Sequence, residues 1–329
     1  MILYPDRVPL AITPTPVEPL AQLSRRYGIE LLCKRDDLTG APLTGNKVRK
    51  LEFLLAEAQA QGADTVITCG GAQSNHCRAT AIAARRLGLD STLLLRVPDP
   101  GNPPPTDGNI LLDRLVGADL RFITPAQYQE RGALMKRVAE ELRARDRKPY
   151  IIPEGGSNAL GAFGYVRCVE ELERQLTPGR ATLVYATGSG GTGAGLLLGV
   201  KLRQLDWRVV GVNVCDDRAY FVRVISGIVD EARERFRLDV AVSPDEIEIL
   251  DGYVGLGYAR SQTAELALIR DVARKEALLL DPVYTGKAFY GLTRELERHH
   301  RAYGERIVFV HTGGIFGLFP KAAEIAPLL

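Results

Sequence analysis

The sequence predicts an α/β fold built from mostly parallel sheets and about two domains. Three observations carry this. Short apolar runs alternate with helical patterns along nearly the whole chain, which calls for right-handed crossovers and sheets covered on both faces. Four of these runs end in glycine- or hydroxyl-rich segments, GGAQSN, ATGSGGT, DPVYTGK and HTGG. Such strand ends are where open α/β sheets place their ligands. The 329 residues suffice for two domains at roughly 150 residues each.

The elements follow in chain order. Within residues 44–58, Leu51, Leu54, Leu55 and Ala58 recur at i, i+3, i+4 and i+7, an amphipathic helix with Asn46 as its N-cap. Residues 65–69 (TVITC) form a buried strand, and Gly70 and Gly71 lead into a helix from about 76 to 87, closed by Gly88. Residues 92–96 are the next strand, followed by a Pro-rich loop at 97–107, a strand at 119–124 and a charged helix at 125–145. Further strands are expected at 149–152, 182–186, 208–214, 277–280 and 306–310.

Composition narrows the function. Hydrophobic residues make up 46% and charged residues 25%, which excludes a disordered chain, a collagen and a coiled coil. The net charge is +2, from 42 basic and 40 acidic residues, so no basic excess points to nucleic acid. A small metabolite is the expected partner. No apolar run reaches the roughly 18 residues that span a bilayer, and MILYPDRVPLAITPTP lacks the features of a signal peptide. Five cysteines at irregular spacing, without a CxxC, argue against disulfides or a zinc site and for a reducing cytoplasm. The four histidines (His76, His299, His300, His311) form no HExxH-type metal pair. His311, directly after a strand, reads as structural, and His299 and His300 as facing the negative end of a helix.

Two segments carry chemistry. The glycines of 186–196 (ATGSGGTGAGL) lie between a strand and a helix, where inward-pointing amides and the helix dipole favour an anion. Ser189 and Thr192 add hydroxyl donors. Gly188–Gly193 also matches GxGxxG, and Asp216 and Asp217 follow the next strand, so a nicotinamide oxidoreductase stays open at this point. No Gly-Lys-Ser/Thr follows, which excludes a Walker loop. In the second segment, TGNKVRKLE, Lys47 falls in a first helical turn, with Lys50 one turn on. Both placements lower an amine's pKa. A reactive lysine beside a phosphate loop suggests pyridoxal phosphate, with the lysine as Schiff-base partner.

Together, Thr44–Glu52 (TGNKVRKLE), Gly70–Arg78 (GGAQSNHCR), Thr187–Gly195 (TGSGGTGAG), Asp281–Ala288 (DPVYTGKA) and His311–Gly314 (HTGG) resemble the D-cysteine desulfhydrase and 1-aminocyclopropane-1-carboxylate deaminase family. These are fold-type II pyridoxal phosphate enzymes, related in fold to the β subunit of tryptophan synthase. The resemblance spans essentially the whole chain. It implies that Lys47 carries the cofactor, and that Lys50, Asn75 and the loop Thr187, Gly188, Ser189, Gly190, Gly191 and Thr192 hold it. It implies that Ser74, Asn75 and His76 receive the substrate carboxylate, with Ser74 also among the catalytic groups. Tyr258 and Tyr284 would flank the substrate as acid/base or positioning groups, and Thr312 would face the pyridine nitrogen. The deaminases carry Glu where Thr285 stands and Leu where Thr312 stands, so both positions follow the desulfhydrase pattern, with Thr285 expected at the substrate. The implied reaction is β-elimination of D-cysteine to pyruvate, hydrogen sulfide and ammonia. Cyclopropane deamination, or elimination from another β-substituted amino acid such as cysteate, is the alternative, and a cofactor-binding protein without turnover is a further one. The implied architecture is two three-layer domains in a homodimer: a smaller domain at 51–160 and a larger one of 1–50 plus 161–329, with the cofactor between them.

Overall fold

In the computed structural model the described residues are 2–299 and 301–329. Their strands are β1 (Val17–Pro19), β2 (Glu30–Lys34), β3 (Thr65–Gly71), β4 (Asp90–Arg96), β5 (Asp119–Ile123), β6 (Pro149–Ile151), β7 (Ala181–Thr187), β8 (Trp207–Asn213), β9 (Glu248–Leu250) and β10 (Arg306–Val310). The α-helices are α1 (Ala21–Tyr27), α2 (Asn46–Ala60), α3 (Asn75–Arg86), α4 (Gly108–Leu115), α5 (Pro125–Gln129), α6 (Arg131–Arg143), α7 (Ala159–Gln175), α8 (Gly191–Leu202), α9 (Arg218–Phe236), α10 (Thr263–Glu276), α11 (Thr285–Arg298) and α12 (Ala322–Ile325).

The strands form a six-stranded sheet, β1-β2-β10-β7-β8-β9, and a four-stranded sheet, β5-β4-β3-β6. Every pairing is parallel except that of β1 with β2. Parallel strands need apolar cover on both faces, and both sheets have it. Leu183 and Val308 of the larger sheet face α7, α8 and α9 through Val166, Leu196 and Ile225. On the other face, Val184 and Phe309 meet α10 and α11 through Ile269 and Phe289. In the smaller sheet Ile67 and Leu94 pack on α6, and Leu93 and Leu95 pack towards α3 and α4.

Helix α2 departs from the expected half-exposed pattern. All residues from Val48 to Leu55 are buried, Arg49, Lys50 and Glu52 included. Its polar face meets built-in partners instead of water. Arg49 donates to Asp36 and Glu171 at 2.8 Å. Lys34 donates to Glu171 at 2.9 Å, and Tyr165 donates its hydroxyl to Asp36 at 2.7 Å. Burial works to raise the Asp36 carboxyl, but Arg49 and Lys34 beside it hold its pKa below the ordinary value. The two cations and two anions balance, as charges taken out of water must.

Other expectations are corrected. Residues 277–280 form no strand: Ala277 takes a left-handed φ of 52°, and the extended leucines that follow join no ladder before Pro282. The helix at 125–145 is two helices broken at Glu130. β1, β2 and β9 escaped the periodicity reading because two of them have only three residues and β2 is buried along four of its five positions. His299 caps α11, and the matching expectation for His300 lies outside the described residues. All five cysteines are free thiols. No helix among the described residues is long and apolar enough to cross a membrane, and no cluster of His, Cys, Asp and Glu among them could hold a metal.

Candidate active site

In the larger sheet β10 and β7 lie side by side, and in the smaller sheet β3 and β6 do. The segments beyond their carboxyl ends line one cleft of about 580 Å³, together with the start of α2. Lys47, Ser74, Asn75, His76, Thr187, Gly188, Ser189, Gly190, Thr192, Tyr258, Tyr284 and Thr312 all reach its wall.

Lys47 is the second residue of α2. Gly45, not Asn46, is the N-cap. Gly45 has φ 100°, and a Cβ there would stand 2.8 Å from the Thr312 carbonyl oxygen. Gly313, with φ 83°, would place its Cβ 2.7 Å from the Gly45 Cα. Only two glycines let the turn before Lys47 press this closely on the end of β10. Asn46 serves the site otherwise, donating its side-chain amide to Thr192 Oγ1 at 3.0 Å. The Lys47 amine opens only onto the cleft. Lost hydration brings its pKa down to about 8, against the raising influence of Glu154 and Asp281. Burial thus lowers it, in place of the first-turn and Lys50 effects that the sequence suggested.

Lys50 lies behind the wall, completely buried. Its Nζ donates to the Gly155 carbonyl at 3.1 Å and to Ser157 Oγ at 3.2 Å. Ser157 Oγ also accepts from the Gly191 amide at 3.2 Å and lies 2.9 Å from Ser189 Oγ. Among the described residues no carboxylate pairs with Lys50, and burial, followed by the Lys47 charge, lowers its pKa strongly. Gly190, at φ 81°, turns the chain into α8, and a Cβ on Gly191 would fall 2.9 Å from Lys50 Nζ. A buried amine without a carboxylate partner, behind a helix N-terminus that a side chain would block, fits a phosphate group that would restore its charge. The later glycines do other work. A Cβ on Gly193 would sit 1.9 Å from the Tyr185 hydroxyl, and one on Gly195 would sit 2.2 Å from the Ala162 carbonyl. They permit α8 to pack tightly, so the GxGxxG match does not describe a dinucleotide cradle.

Opposite stands the start of α3. Ser74 caps it, accepting from the Cys77 amide at 3.2 Å. Asn75 Oδ1 is held by Asn109 Nδ2 at 3.1 Å, and His76 Nε2 lies 2.8 Å from Thr68 Oγ1. Burial and then the two lysine charges keep His76 well below its ordinary pKa, hence neutral. The first amides of α3 have no acceptor within the helix and can receive a carboxylate. Tyr258 and Tyr284 complete the wall with hydroxyls 2.6 Å apart.

One expected substrate contact is corrected. Thr285 does not reach the cleft, because its amide and hydroxyl both donate to Asp281 Oδ1, at 2.8 and 2.7 Å. Gly191 is likewise set behind the wall. His311 is structural: the Gly313 amide donates to its Nδ1 at 3.1 Å, and its Nε2 lies 3.0 Å from the Leu279 carbonyl. Sequence reasoning missed Arg96, Tyr128, Arg131 and Glu154 on the wall. Arg96 is the last residue of β4 and Glu154 follows β6, so the strand-end rule could have found both.

The geometry thus joins a lysine of lowered pKa, a glycine turn that suits an anion and a helix start with free amides. A family described as "Pyridoxal-phosphate dependent enzyme" matches residues 8–313. A bifunctional D-cysteine desulfhydrase/1-aminocyclopropane-1-carboxylate deaminase, mitochondrial, of Arabidopsis thaliana is 44% identical, with 97% of this chain and 81% of that protein covered. A D-cysteine desulfhydrase of Yersinia enterocolitica is 38% identical over 97% of each chain. The crystal structure of an ACC deaminase homologue superimposes with a TM-score of 0.91 at 40% identity, covering 99% of this chain and 97% of the other. The nicotinamide alternative falls with these matches. With its lysine, its cradle and a full-length match in agreement, the chain belongs to the pyridoxal-phosphate dependent enzymes, with the lyase fold of their type II branch.

Proposed function

We propose that this protein eliminates the thiol of D-cysteine, releasing pyruvate, sulfide and ammonia. The observation that carries the reading is the Tyr258–Tyr284 pair. Burial raises the pKa of Tyr258 to about 12 and that of Tyr284 well above its ordinary value. Both phenols keep their protons, as a donor to a departing thiolate requires. Cyclopropane opening instead needs a group that attacks or deprotonates the ring, because that substrate has no Cα proton. The position after Tyr284 is a threonine whose hydroxyl is already spent on Asp281.

Pyridoxal phosphate, when bound, supplies an electron sink for charge developing at Cα. Ser189, Gly190 and Thr192 would hold its phosphate, with Lys50 and the Gly191 amide behind them on Ser157. Ser74, Asn75 and His76 hold the substrate carboxylate on the amides of α3. The Lys47 amine, free at a pH near its lowered pKa, takes the Cα proton. Tyr284, relayed through Tyr258, gives a proton to the leaving sulfur. A thiol with pKa ~8.5 needs only modest help, so Tyr284→Phe should lower kcat by about 10²-fold, the lower end of general-acid effects. Steady-state sulfide release checks this.

The direct test compares D-cysteine, L-cysteine and 1-aminocyclopropane-1-carboxylate on the holoenzyme. Sulfide should come from D-cysteine first. Ammonia from the cyclopropane acid with no sulfide from either cysteine would sink the reading. Lys50→Met should weaken cofactor binding by about 1.5–3 kcal/mol, roughly 10–100-fold in Kd, the worth of a charged hydrogen bond. Titration of the apoprotein with cofactor measures it, and an unchanged Kd would remove Lys50 from the cradle.

A further inference from the structure

Residues 251–262, between β9 and α10, form neither helix nor strand, yet they carry Tyr258. The backbone there is unusual. Gly252, Gly255, Gly257 and Ala259 all have positive φ, at 94°, 63°, 110° and 58°. Such a segment has few regular hydrogen bonds to fix it and many conformations to choose from. From α11, Glu295 accepts from the Tyr253 hydroxyl at the start of the segment, and Lys287 reaches its middle. Lys287 is completely buried, and its Nζ donates to the Val254 carbonyl at 2.6 Å and to the Gly257 carbonyl at 2.8 Å. No hydrogen-bonded ion pair neutralises Lys287 among the described residues; the buried Glu265 carboxylate acts on it only at longer range. The same helix starts beside Tyr284, whose hydroxyl lies 2.6 Å from that of Tyr258.

A buried ammonium costs several kcal/mol of hydration unless its environment restores it. Two backbone carbonyls of an irregular loop are a poor choice for stability alone, because methionine packs the same volume without the charge. They are a good choice for holding two successive turns rigid, because Val254 and Gly257 are the carbonyls that accept from the Gly257 and Arg260 amides. We propose that Lys287 is a positioning residue: it pins the 251–262 loop so that the Tyr258 hydroxyl stands within reach of Tyr284 and the cleft. The inference rests on the reading of Tyr258 as part of the proton path.

Lys287→Met tests it, with Lys287→Gln as the variant that keeps two N–H donors. In the apoprotein, amides 252–260 of Lys287→Met should exchange hydrogen at least tenfold faster than in the wild type, with α11 unchanged, and Lys287→Gln should fall between. In the holoenzyme, kcat for D-cysteine should fall at least tenfold with KM changed by less than threefold. Lys287→Met introduced into Tyr258→Phe should then cost nothing further, because the pin acts only through that phenol. Unchanged loop protection, or losses that multiply in the double variant, would overturn the proposal. Tyr258→Phe with full activity would sink the reading of Tyr258 instead, leaving the exchange measurement to decide the pin.

Discussion

Lys47→Ala should abolish sulfide release, with a loss of at least about 10²–10⁴-fold from the missing base alone. It should also remove the near-visible absorbance of a lysine-bound cofactor while leaving the fold intact. The amine opens onto the cleft, so its removal deletes no core packing. A companion measurement uses the wild-type apoprotein. Burial holds Lys47 near pKa 8, and only the neutral amine can attack an aldehyde. The rate of cofactor capture should therefore rise with pH and level off above about 8, rather than above the ordinary lysine value of about 10.4. A capture rate still climbing beyond pH 9.5, or a Lys47→Ala protein that keeps the absorbance, would refute the assignment.

Asp36→Ala should be the most destabilising single change in the chain. It leaves the buried Arg49 guanidinium with Glu171 as its one carboxylate and takes the acceptor from the Tyr165 hydroxyl. Breaking a buried ion pair on one side costs about 3–5 kcal/mol, against a total of roughly 5–15 kcal/mol for a folded protein. Equilibrium urea unfolding measures it, and a loss under 1 kcal/mol would show that the network contributes little. The pH dependence has a definite sign. The folded Asp36 pKa is depressed, so its contribution is present above the unfolded value of about 3.9 and fades as the pH falls through the folded one. Wild type should therefore lose more stability than Asp36→Ala on acidification below pH 4.

Much of the site was legible because strand-end rules and residue chemistry agree there. The glycine loop, Lys47 and the SNH turn needed no tertiary information. The misses have physical causes. Thr285 looked like a contact because it follows a wall residue, but the first turn of α11 rotates it onto Asp281. Asn46 looked like a cap by residue type, but the near contact of Gly45 with Thr312 gave that place to glycine. The run at 277–280 has strand composition, and no neighbouring strand pairs with it. Helix α2 read as half-exposed because periodicity counts only apolar positions, while Arg49, Lys50 and Glu52 find partners far away in sequence. Arg96 lay at a strand end without glycine and so drew no notice, while Glu154 stands before Gly155 and Gly156 at a strand end that the same rule passed over.

The burial of α2 has a consequence for biogenesis. Arg49 waits for Glu171, 122 positions downstream, and the turn before Lys47 waits for Thr312 at the far end of the chain. The chain must extend through β10 before the Lys47 amine is seated. Fragments that stop short of β10 should therefore fail to retain the vitamin.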